Sequence, residues 1–107
     1  MESKMIEIRI IIPVADNNGI RFTDSHNAKF EVRLVEVFGG FTRLPGETTG
    51  GWIDGGVIYA DNGVIYVVAV AGLVSGSVKV IEITTYAKAH YSQLAIYVSY
   101  LGQSEVL

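Results

Sequence analysis

The chain has 107 residues, half of them hydrophobic and only 18% charged, with a formal net charge of −3 and a pI near 5.2. One domain is the default at this length. The eight Lys and Arg are scattered singly, so the electrostatic footprint of a nucleic-acid binder is missing, and the lack of cysteine removes disulfides, thiolate nucleophiles and thiolate metal ligands together.

The first residues, Met1-Glu2-Ser3-Lys4-Met5-Ile6-Glu7, carry charge at every second or third position. That spacing is incompatible with the apolar run of a signal peptide, and a cytoplasmic protein is expected. The longest charge-free run, Asn62 to Val78, holds Gly72, Ser75, Gly76 and Ser77 in its second half and is too polar at that end to span a membrane. From Met5 to Val14, Ile6, Ile8, Ile10 and Ile12 alternate with Glu7 and Arg9, the period-two signature of a strand with one buried side. Asp16-Asn17-Asn18-Gly19 is a turn by composition. Thr23, Asp24 and Ser25 are good helix N-caps, and helical spacing then gathers Phe30, Leu34, Val37 and Phe38 opposite Lys29, Arg33 and Glu36. Gly39-Gly40 stops that helix.

Phe41 to Leu44 begins a second strand, Pro45-Gly46 is a turn or bulge, and Thr48 to Ile53 is extended. Asp54-Gly55-Gly56 signals a tight turn, Val57 to Ala60 a short strand, and Asp61-Asn62-Gly63 a second turn. Val64 to Ala71 is apolar without alternation, as in a strand covered on both faces. Gly72 to Ser77 reads as a loop. Val80, Ile83, Ala87 and Tyr91 recur at helical spacing, but Val78 to Thr85 is rich in β-branched residues, whose stiff side chains leave helix or strand open there. Leu94 to Leu101 is the last strand, and Gly102 to Leu107 extends it past a bulge or frays.

This order predicts a single α+β domain over residues 1–107. Its fold is a ferredoxin-like split β-α-β arrangement with both helices on one face of an antiparallel sheet and an extra short hairpin strand. The uncovered face would carry half of each late apolar strand. Hiding ~400 to 800 Å² of it at ~25 cal/mol per Å² is worth ~10 to 20 kcal/mol, so a homodimer or higher oligomer with sheets packed face to face is expected.

Phe38-Gly39-Gly40-Phe41-Thr42, Gly51-Trp52 and Asp61 together resemble a loose group of short bacterial proteins that share a Phe-Gly-Gly, Thr, Gly-x-Trp, acidic pattern. The resemblance spans residues 5 to 101, implies a ferredoxin-like fold and brings no settled activity with it.

Among the chemistries, His26 and His90 fall on separate helices with no close-spaced partner, too few for a zinc site. His26 is expected to be a solvated first-turn residue. Gly46 to Gly51 has the glycine spacing of a phosphate loop, but Trp52 stands where Lys is required. No metal and no cofactor are expected. A small-molecule pocket remains, built from Arg9, Trp52, Tyr59, Asp61, Tyr66 and Tyr97. Glu7 and Arg9 share the face opposite the isoleucines, as an interfacial ion pair or a ligand anchor. The expected function is therefore a non-catalytic homo-oligomer that self-associates through its apolar sheet face and binds a small hydrophobic ligand. The alternative is a cofactor-free α+β-barrel enzyme acting on a hydrophobic or aromatic molecule.

Overall fold

The isoleucine alternation forms β1 (Ile6–Pro13), and every second side chain, Ile8, Ile10 and Ile12, is buried. The computed structural model describes residues 5–100 and 103–106. Behind β1 the helix α1 (Asp24–Phe38) starts at Thr23, whose hydroxyl accepts the His26 N–H, and ends at Gly39 in the left-handed conformation. Then follow β2 (Thr42–Arg43), β3 (Thr48–Asp54), β4 (Val57–Val70), α2 (Leu73–His90), β5 (Tyr97–Tyr100) and β6 (Gln103–Val106).

Among the described residues the strands form one sheet in the order β2-β4-β1-β5-β6, with β3 paired to β4 and every pairing antiparallel. In register, Ile8, Ile10 and Ile12 face Val68, Tyr66 and Val64. These side chains meet Phe30 and Leu34 of α1 and Val80, Ile83 and Ala87 of α2 in one core. Both helices thus cover one side of the sheet, as the ferredoxin-like reading requires.

Three local expectations are corrected. Asp61-Asn62-Gly63 is not a turn, because β4 runs straight through it for 14 residues. Gly63 answers a packing demand instead, since a Cβ there would meet Ile11 Cγ2 at 2.6 Å and the Ile12 carbonyl oxygen at 3.1 Å. Gly72 to Ser77 is not a loop: α2 begins at Leu73 and stays helical through the β-branched segment. Gly76 lets it press onto β4, a Cβ there lying 2.8 Å from Val70 Cγ2. The last strand begins at Tyr97 rather than Leu94, which is fully solvated. The expectation for Leu101, Gly102 and Leu107 lies outside the described residues, while Gln103–Val106 folds back on β5 as β6.

The histidines are also corrected. His26 is not simply solvated: its ring stacks on that of His90 at 3.7 Å, and each Nε2 bonds the other residue's carbonyl oxygen, at 2.7 and 2.8 Å. A carbonyl can only accept, so both Nε2 atoms carry hydrogen. Phe22 stacks beyond His26 and Tyr86 beyond His90, and the column joins the start of α1 to the end of α2. No helix among the described residues is long and apolar enough to cross a membrane.

Candidate functional site

The six side chains expected to share a pocket fall in three places. Arg9 and Tyr97 stand on the side of the sheet away from the helices, where Arg9 pairs across to Val67 and Ser99 and Tyr97 to Ile11. Arg9 Nη2 lies 3.5 Å from Glu7 Oε1, and both side chains are more than half exposed. Around this pair the open face carries Ile11, Ile65 and Val67, only partly covered, and Ala69, which is exposed. The charged pair therefore sits in an apolar surround.

Trp52, Tyr59 and Asp61 form the second group, on a two-stranded ribbon made by β3 and the first half of β4. Val57 pairs with Asp54 across the Gly55-Gly56 turn, and residues 49–62 are all exposed. Trp52 stacks on Tyr59 at 4.7 Å. Their neighbours Ile53 and Ile58 pair on the opposite side of the ribbon, 67% and 77% exposed. The ribbon stretches the molecule to 50 Å, with a radius of gyration of 14.2 Å against ~13 Å for a compact domain of this length. Asp61 is six residues along β4 from Val67, ~20 Å at strand rise, so the ribbon trio and the Arg9 group do not touch within one subunit.

Tyr66 stands apart, on the helix side. Its ring is buried between Phe30 and Phe41, and its hydroxyl donates to Glu31 Oε2 at 2.6 Å. Burial first, and Glu31 after it, push the phenol well above its usual range. Arg43 Nη1 is 3.5 Å from the same Glu31 oxygen. The Tyr66 hydroxyl beside it, then the charges of Glu31 and Asp24, hold the Arg43 guanidinium above the ordinary arginine range.

Tyr66, Arg43 and Asp24 border a cleft of about 420 Å³ between the start of α1, the end of β1 and the 44–47 loop. Glu31, Arg43, Asp24 and Asn27 were not among the pocket residues expected from the sequence. Asp24, Asn27 and Glu31 do recur at helical spacing, a polar stripe beside the apolar one.

No protein-family model and no curated protein sequence matches the chain. Solved structures do. A phage SAM lyase in complex with S-methyl-5'-thioadenosine superposes with a TM-score of 0.76 at 10% identity, over 100% of this chain and 92% of that one. The divalent cation tolerance protein of Thermus thermophilus gives 0.62 at 14% identity, over 95% and 86%. The periplasmic divalent cation tolerance protein CutA of Archaeoglobus fulgidus gives 0.60 at 16%, over 92% and 82%. At such identities the likeness is one of fold, and it makes this chain a ferredoxin-like α+β protein of the shape shared by SAM lyase and CutA.

Proposed function

We propose that the chain is a self-associating binding protein whose copies meet through the open sheet face and the projecting ribbon. A small ring-bearing ligand would be held where they meet, against Arg9, Tyr97, Trp52, Tyr59 and Asp61. The observation that carries this reading is the ribbon: residues 49–62 are exposed throughout, with apolar cross-strand pairs on both sides. A lone two-stranded hairpin is marginal in water, and apolar surface of this extent marks an interaction site. The ligand class is supported by the phage SAM lyase, which is held with S-methyl-5'-thioadenosine.

Light scattering on the eluting protein tests the assembly. The wild type is expected to run as an oligomer at micromolar concentration and Val67→Asp as a monomer; a monomeric wild type sinks the reading. Thermal shift with S-methyl-5'-thioadenosine tests the ligand. Arg9→Ala separates the roles, since loss of the oligomer marks an interfacial ion pair, whereas loss of ligand binding with the oligomer intact marks an anchor. The likeness to a lyase also supports an enzymatic reading, decided by incubating the protein with SAM and looking for release of S-methyl-5'-thioadenosine.

A further inference from the structure

We propose that the cleft between α1 and the 44–47 loop is a second binding site, one that takes the zwitterionic head of an α-amino acid with an apolar side chain. The site goes beyond the reading above, because it lies on the helix side of the sheet and within a single subunit.

Its opposed charges carry the inference. Asp24, at the first position of α1, and Arg43, on β2, line the same cleft. Among the described residues Arg43 is ion-paired to Glu31, Arg21 to Glu47 and Arg33 to Glu36 and Glu82, and Asp24 has no ion pair. A carboxylate and a guanidinium that border one cavity without bonding each other leave room for a group that answers both. An α-amino acid has that pattern, an acceptor pair for the Arg43 fork and a cationic donor for Asp24.

The rest of the lining agrees. Arg43 is held at Nη1 by Glu31, whose Oε2 also accepts from the Tyr66 hydroxyl, so one side of its guanidinium is anchored. Asn27 accepts from the Tyr91 hydroxyl through Oδ1 at 2.8 Å, which fixes its amide NH₂ as the unused end. The Arg21–Glu47 pair joins the β1–α1 connection to the 44–47 loop beside the cleft. Ile12, Leu44 and Val64 supply an apolar wall for a side chain. The lining residues Arg21, Arg43, Asp24 and Glu47 sum to zero charge, which favours a ligand that is itself neutral overall. The cavity of about 420 Å³ falls within the ~300 to 1,000 Å³ usual for small-ligand sites.

Isothermal titration of the full chain with L-leucine, N-acetyl-L-leucine and L-leucinamide tests the site. Binding of leucine, with each blocked analogue at least about tenfold weaker, is expected, one lost charge contact being worth about that factor. Asp24→Asn is expected to abolish the preference for leucine over N-acetyl-leucine, and Arg43→Lys the preference over leucinamide, each with an unchanged circular dichroism melt. Equal binding of all three compounds, absence of leucine binding, or unchanged discrimination in the folded variants overturns the proposal.

Discussion

A methyl group on Gly63 has nowhere to go. It would press on the β-branched Ile11, the backbone of Ile12 and the Thr48 hydroxyl, at 2.6, 3.1 and 3.3 Å, and two of these cannot swing aside. Gly63→Ala is therefore expected to cost ~1 to 3 kcal/mol in a urea melt, the usual range for overpacking; a neutral result would mean that β1 and β4 are farther apart than their register implies. Tyr66 and Tyr91 give a second residue-scale test. Both phenols are buried, and burial is the first cause raising each above the ordinary 10.0. A group whose folded pKa is raised contributes stability that is complete below its unfolded pKa and is lost as pH rises toward the folded value. Stability is thus expected to fall above about pH 10, by up to ~1.4 kcal/mol per pH unit for each tyrosine. In an absorbance titration, Tyr66 and Tyr91 should ionise above the ordinary tyrosine range, together with unfolding. Ionisation of Tyr66 and Tyr91 near pH 10 on an intact fold would contradict it.

Among the elements, the pairing of α1 with α2 rests on a feature that separation along the chain conceals. His26 and His90 are 64 positions apart, yet each ring donates to the other's carbonyl. His26→Ala leaves the His90 carbonyl without its donor and breaks the ring column. A loss of ~1 to 3 kcal/mol is expected, and the double variant with His90→Ala should cost clearly less than the sum of the single losses, as reciprocal partners do. Strict additivity in chemical denaturation would show that the stack contributes nothing. The elements also mark what the sequence can disclose. Ile6 to Pro13 and Asp24 to Phe38 were readable because one-sided burial writes its period into the chain. Asp61-Asn62-Gly63 misled because its composition is that of a turn, while Gly63 is small for the sake of β1, some 50 positions earlier. The β-branched start of α2 was ambiguous for a related reason: the burial of Val80, Ile83 and Ala87 in the core is a long-range matter that local propensity does not reveal. Of the candidate site, Arg9 and Tyr97 do share a face, but the partners of Tyr66 could not be named, because Glu31 and Arg43 reach it from separate elements.

For the whole molecule, the ribbon sets the question of what covers it. Trp52, stacked on Tyr59 yet 53% exposed, lies outside the core of its own subunit, since every residue from 49 to 62 is exposed. Surface positions of that kind change monomer stability by no more than ~0.5 kcal/mol. In an interface the same side chain would belong to the class that dominates binding, with ~2 kcal/mol or more lost on truncation. Trp52→Ala should therefore leave the unfolding of the dissociated subunit nearly unchanged while weakening association by about thirtyfold, measured as the concentration at which the oligomer falls apart in sedimentation equilibrium. The two effects separate the competing accounts of the ribbon. If Trp52 served its own fold, the variant would melt earlier at every concentration and assemble as before. If it is an anchor between copies, the melt becomes concentration-dependent, because anything that binds only the folded form stabilises it by mass action, and the variant should differ from the wild type only where the wild type is assembled.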